Sequence, residues 1–374
     1  MAGLYIHIPF CKQKCIYCDF YSINSKKTKD RFIEALILDL KTNKDFIPNN
    51  IKTIYFGGGT PSILSKDEIT KIFDVIKENF NLDELIEVTF EANPEQLTKE
   101  YLDFLITTPI NRLSVGIQSF DDNDLKTLSR IHNSYQAINA VKLAKESGFS
   151  NISIDLMYNL PNMNIEKWKN NLKVAVELDI QHISAYSLSV EKGTILDKFV
   201  DKGKLSIPSE EEQLLEFNLC IDYLKEYGFN QYEISNYAKS GYKSVHNSNY
   251  WNEIPYLGVG PSAHSFNNKN RKWNVSNMDL YCNSLALGNK EYYEIEYLSD
   301  KDKYNEFIML NIRQTKGIDI CIIKEKFIDE VYNEFRKSAK RMIEAGLLEI
   351  QDSFYKPTRK GLELNNELII NLIQ

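Results

Sequence analysis

Residues 5–20 read YIHIPFCKQKCIYCDF: a short apolar run passing directly into a loop that carries Cys11, Cys15 and Cys18. Half of the six cysteines in a 374-residue chain fall within eight positions. Six thiols scattered over this length make no disulfide framework, so the trio reads as metal-binding or catalytic, in a reduced, cytoplasmic setting. Thiolates are soft ligands that suit zinc or an iron–sulfur cluster. Structural zinc takes four ligands in closely spaced pairs. A fourth ligand would have to come from Cys220, Cys282 or Cys321, and none has a Cys or His at pair spacing. A four-iron cubane (4Fe-4S) fits more simply, with three irons on three thiolates and the fourth open to a substrate. Phe10, Tyr17 and Phe20 are expected to shield it and help set its potential.

Outward from this loop, short apolar runs alternate with longer amphipathic ones. GLYIHI (3–8), TIYF (53–56), EVTFE (87–91), RLSVG (112–116), NISIDL (151–156) and HISAYSL (182–188) read as buried strands. Between them, stretches such as RFIEALILDLK and NIEKWKNNLKVAVEL carry apolar residues at helical spacing. Ser65 with Glu68 three places on is a capping-box signature, and Gly148 suits a helix C-terminus. Strands joined by helices predict an α/β fold with a parallel sheet and right-handed crossovers. Six units are too few for the complete eight-stranded barrel. An open six-unit barrel and a doubly wound sheet both fit the spacing.

The alternation fades after about Glu191. Residues 1–235 are read as the core, 236–300 as a connecting segment of loops and short elements, and 301–374 as a mostly helical, winged-helix-like module. The net charge is -7, and the last 74 residues carry 13 basic and 12 acidic side chains. Neither figure suits a nucleic-acid partner. No apolar run reaches the roughly 18 residues of a membrane span, and the N-terminus lacks the basic and apolar regions of a signal peptide.

The CxxxCxxC loop, with FGGGTPS (56–62), FEANPE (90–95) and HNSNYW (246–251), resembles the radical S-adenosylmethionine (SAM) enzymes. More narrowly, it resembles the oxygen-independent coproporphyrinogen III oxidase-like family over nearly the whole chain. The resemblance implies an open six-unit partial barrel and a 4Fe-4S cluster on Cys11, Cys15 and Cys18, whose open iron binds SAM. It further implies that Gly58, Gly59 and Thr60 cradle the methionine end of SAM. Glu91 would hold its amino group, Arg130 its carboxylate, and Gln118 and Asp155 its ribose. Tyr5 would lean over the cluster, and Ala185 would sit among the contacts from the sixth strand.

Two departures choose between branches of that family. The decarboxylating oxidases extend the signature to CxxxCxxCxC and carry a longer N-terminal arm. Here Phe20 occupies the fourth position, and ten residues precede Cys11. Both features match a sister branch of haem chaperones. His246, Asn247, Tyr250 and Trp251 match that branch's HNxxYW motif, which is implicated in haem binding, and His264 is a second candidate ligand. Imidazole is an ordinary axial ligand for haem iron, and Tyr and Trp present flat faces to a porphyrin. The expected function is therefore transfer of haem to client haemoproteins, with a low-potential electron donor for the cluster. The alternative is radical decarboxylation of coproporphyrinogen III to protoporphyrinogen IX.

Overall fold

The structure, a computed structural model, describes residues 1–24 and 27–374. Strand β1, Ala2–Ile8, is buried at every position except Tyr5, as a parallel strand covered on both faces must be. It is followed by β2 (Ile51–Gly58), β3 (Glu87–Ala92), β4 (Arg112–Gln118), β5 (Ile152–Tyr158) and β6 (His182–Ser187), each parallel to its predecessor. The six runs read as strands are these six. The Ser65–Glu68 capping box forms at the helix Lys66–Asn79. The helix Ser134–Glu146 ends just before Gly148, whose φ of 100° is the left-handed turn that glycine accommodates.

Register divides the sheet into two chemically distinct faces. Tyr5 lies beside Tyr55, Tyr55 beside Thr89 and Thr89 beside Arg112. Ser114 lies beside Ser153, and Asp155 beside Ser184. By alternation, Gly3, His7, Thr53, Glu87, Glu91 and His182 share that polar face. The opposite face carries Ile6, Phe56, Phe90, Val115, Ile154 and Ile183, and it belongs to the main apolar core. The apolar face binds the crossover helices, while the polar face lines the inside.

The barrel is open. On the far side β6 is bordered not by β1 but by β8 (Asn236–Ala238), which also pairs with β7 (Asn230–Gln231). Beyond β1 lie β9 (Tyr256–Val259), β10 (His264–Phe266), β11 (Asn270–Asn274) and β12 (Tyr293–Tyr297). Residues 236–300 thus supply five short strands to the main sheet, and the helices Val245–Trp251 and Met278–Leu287 besides. Their pairing is long-range: β9 runs parallel to β1, some 250 residues earlier, and no local periodicity announces it.

A second apolar cluster runs from Tyr304 to Leu372. Its helices enclose a sheet in which Phe354–Pro357 pairs antiparallel with both Ile318–Asp319 and Leu348–Gln351. Among the described residues no helix is long and apolar enough to cross a membrane.

Candidate cofactor site

The cysteine loop leaves the C-terminal end of β1, where barrel sites are built. It is pinned at its start by main chain: Ile23 N–H donates to Pro9 O at 2.8 Å and Cys11 N–H to Ile23 O at 3.0 Å. Cys11, Cys15 and Cys18 are free and partly buried. Burial, with Cys11 and Cys15 nearby, pushes the Cys18 thiol up. Among the described residues no three His, Cys, Asp or Glu side chains converge on a single ion. A cubane instead gives each thiolate its own iron. Phe10 is buried and Tyr17 lies against Cys15, Cys18 and Arg130. Phe20 is 66% exposed, so the expected shielding comes from Phe10 and Tyr17 and not from Phe20.

Two donors reach the sulfurs from other loops at this end of the barrel. Thr60 Oγ1 donates to Cys11 Sγ at 3.6 Å, and Arg130 Nη1 donates to Cys15 Sγ at 3.5 Å. Asn93 joins them: its Nδ2 donates to Thr60 Oγ1 at 3.2 Å, and its Oδ1 accepts from Arg130 Nη2 at 2.7 Å. Arg130 also donates to Gly116 O. A Cβ on Gly116 would stand 3.1–3.4 Å from Gln118, Asn93 and Arg130. Asn93 and Gly116 were not singled out from sequence, although Asn93 lies within the quoted FEANPE.

The glycines permit close approach. Gly58 has φ 103°, and a Cβ there would lie 2.5 Å from the His7 ring. A Cβ on Gly59 would lie 2.8 Å from Ile8 O and Phe10 O. The second strand can therefore seat its end directly against the start of the cysteine loop.

Further inside, Tyr55 donates to Glu91 at 2.7 Å, and Ser114 donates to Asp155 at 3.2 Å. Burial raises the Glu91 pKa to about 7, Asp155 adding to the effect and the Tyr55 hydrogen bond opposing it. Burial likewise raises Asp155. Gln118 closes β4 with φ 71°, at a register shift that turns its side chain toward Asn93 and Arg130. Tyr5 packs on Tyr55 and meets His7 Nδ1 at 3.1 Å. It lies within the lining, and the tyrosine beside the sulfurs is Tyr17. Ala185 sits on the apolar face, its N–H given to Ser235 O. From that position only main chain faces the interior; the side chain pairing with Asp155 belongs to Ser184.

The HNxxYW stretch occupies the other end of the barrel. Ser244 caps the helix Val245–Trp251, and buried Glu87 accepts from the N–H groups of Val245 at 2.8 Å and His246 at 2.9 Å. His246 is 1% exposed. Its Nδ1 meets Thr53 Oγ1 at 2.8 Å and its Nε2 meets Tyr250 OH at 2.9 Å. Burial, then the charge of Arg112, lowers its pKa to about 3. Asn247 N–H is spent on the Ser244 cap, and Trp251 O accepts from Gln314 at 3.4 Å. In this structure the stretch expected to face haem is turned inward at His246. With both ring nitrogens bonded and Gly3 and Tyr55 against its ring, His246 braces the barrel floor, and Tyr250 packs edge-on against it.

The radical SAM superfamily model matches residues 5–175, and the HemN C-terminal domain model matches residues 298–364. The radical SAM match implies a 4Fe-4S cluster and SAM, and the three thiols, the glycine approach and the polar lining suit that pair. The fold is that of Escherichia coli coproporphyrinogen III oxidase (HemN), with a TM-score of 0.86 at 22% identity over 100% of this chain and 90% of that one. The chain is 34% identical to heme chaperone HemW of Bacillus subtilis, covering 98% of each. It is 33% identical to heme chaperone HemW of Lactococcus lactis, covering 97% of this chain and 95% of the relative. With this cysteine loop, this lining and full-length relatedness of that order, the chain belongs to the HemW family, on a radical SAM fold.

Proposed function

We propose that this protein is a haem chaperone, receiving haem and passing it to client haemoproteins in the cytoplasm. The observation that carries the reading is end-to-end similarity to proteins named for that role. In this reading Cys11, Cys15 and Cys18 hold the 4Fe-4S cluster. Gly58, Gly59 and Thr60 hold the methionine end of SAM, Glu91 and Arg130 its charged groups, and Gln118 and Asp155 its ribose. When bound, the cluster supplies one-electron chemistry, drawing on a low-potential donor. The residues themselves bind, orient and shield. Thr60 and Arg130 direct hydrogen bonds at the sulfurs, and His246 braces the strand ends below.

The second reading, coproporphyrinogen III decarboxylation, is favoured by the likeness of fold to HemN. Phe20 at the fourth Cys position, exposed at the loop surface, argues against it. One anaerobic experiment separates the two. Reconstituted protein is titrated with haemin, mixed with a haem-free globin, and separately given SAM, reductant and coproporphyrinogen III. Haem binding and transfer without porphyrin turnover is the expected result. Protoporphyrinogen formed over many turnovers, with no haem transfer, overturns the proposal.

A further inference from the structure

The chain carries a net charge of -7, yet the outer side of the cysteine loop is basic. Lys12 and Lys14 are exposed on the loop itself, and Lys126 is exposed on the helix Asp122–Thr127, which leads to Ser129. Lys14 Nζ donates to Phe20 O at 3.4 Å. Among the described residues none of these three lysines forms an ion pair. Against them stand Asp19, in the loop, and Asp122 and Asp197, whose carboxylates accept from the N–H groups of Ser134 and Gly193 at 2.7 Å each.

Two other segments are tied to the loop. Gln13 Nε2 donates to Ser129 O at 3.0 Å, and Leu196 N–H to Ile16 O at 2.9 Å. Beside these ties large apolar side chains stand in solvent: Phe20 is 66% exposed, Ile131 46% and Ile195 44%. Arg130, between Ser129 and Ile131, donates to Cys15 Sγ at 3.5 Å, so the patch borders the thiols themselves. Lysines around exposed apolar groups, on an otherwise acidic protein, steer an acidic partner in and then hold it. A second copy of this chain does not fit, because a two-fold contact through this side would set the same lysines against each other. Electron transfer needs its donor close, and this loop is where the partly buried cysteines approach solvent.

We propose that this rim, Phe20 and Ile131 flanked by Lys12, Lys14 and Lys126, is the docking surface for an acidic iron–sulfur electron carrier of the ferredoxin kind. The carrier loses one electron and the cluster on Cys11, Cys15 and Cys18 gains it, with no atom exchanged. The inference rests on the reading that this loop holds a cluster fed by a low-potential donor. It gives that donor a place, and the exposed Phe20 a role.

The test uses the full-length, cluster-bearing protein under argon, with a plant-type ferredoxin as the probe. Binding is followed by calorimetry across a range of ionic strength. The variants are Lys12→Glu/Lys14→Glu, Phe20→Ser, and Lys337→Glu/Lys340→Glu, which makes the same charge change on the C-terminal module. The loop double variant is expected to weaken binding at least about tenfold at low salt and to flatten its salt dependence. Phe20→Ser is expected to weaken binding by a similar factor at every ionic strength, and the module variant to bind as wild type does. Iron content and the EPR signal after dithionite should match wild type throughout, showing that the loop still holds its cluster. Wild-type affinity in both loop variants overturns the inference. So does equal weakening by the module variant, which would make the effect one of net charge alone. A flavodoxin whose binding depends on Lys12 and Lys14, where ferredoxin does not bind at all, overturns the assigned carrier. In each of these cases haem uptake and transfer by the same preparations leave the chaperone reading standing. Wild-type protein that forms no cluster and transfers no haem overturns both.

Discussion

At the scale of single residues, Glu91 connects the barrel lining to pH. Its pKa is raised to about 7 from an ordinary 4.5, so the folded protein keeps a proton that the unfolded chain releases. Its contribution to stability is full below about pH 4.5 and is lost as pH rises through 7. Binding runs the other way, because only the ionised carboxylate accepts well from the amino group of SAM. SAM affinity should climb as pH rises toward 7, by at most about tenfold per unit, and then level off. Glu91→Gln should flatten both profiles, as seen by melting temperature and by calorimetric SAM titration. A wild-type binding curve independent of pH would remove Glu91 from the site. Asn93 makes a second case. It orients both donors to the sulfurs, and such hydrogen bonds favour the more negative, reduced cluster. Asn93→Ala should lower the cluster potential by tens of millivolts, 59 mV corresponding to about 1.4 kcal/mol, in an EPR-monitored redox titration. No change would mean that Thr60 and Arg130 hold their positions unaided. Sequence reading reached Arg130 and Thr60 through the family resemblance, which assigns each a contact with SAM. It passed over Asn93 because an amide that organises other side chains looks like any loop asparagine until the strands converge.

At the scale of elements, the six parallel strands were legible because each is a near-continuous buried run, and the capped helices because Ser65 and Gly148 mark their ends. The antiparallel extension was not. Asn270–Asn274 has the composition of a loop, yet Lys272 and Asn274 are buried on one face. There Asn274 donates to Asp39 at 3.0 Å and Lys272 to Asn43 Oδ1 at 2.7 Å, partners more than 200 residues distant. The helix Val245–Trp251 was read for its chemistry while its architecture stayed hidden. The motif promised a ligand, and the fold uses the imidazole as a brace between β2 and its own helix. His246→Ala should therefore cost stability. It leaves Thr53 and Tyr250 without their partner and opens a cavity under Gly3, together worth about 3 kcal/mol. Urea denaturation should show the midpoint fall with an unchanged slope. A variant as stable as wild type would return His246 to the list of free ligands.

At the scale of the whole molecule, the C-terminal module is held to the barrel largely by polar contacts. Arg271 pairs with Glu306, Lys326 with Glu253, and Arg359 with Asp222. Asn218 donates to Glu363 at 2.8 Å, and Lys316 to Asn252 at 3.0 Å. The module has its own apolar cluster, and Leu362 is its member of the main core. Such an interface resembles a transient one between proteins. Its ion pairs are partly open to solvent, so dissolved ions can screen them. At about 1 M salt the screening length falls to roughly 3 Å, which weakens the docking contacts while leaving both apolar clusters intact. Calorimetry at low ionic strength should therefore show the module and barrel melting together. In concentrated potassium chloride a separate, earlier transition should appear for the module. Sulfate at matched ionic strength provides the control. It screens charge as well but strengthens apolar burial, so it should raise both melting temperatures while still drawing the transitions apart. If the two salts leave a single, unsplit transition, the apolar contact through Leu362 must outweigh the charged ones, and the module and barrel would be one cooperative unit.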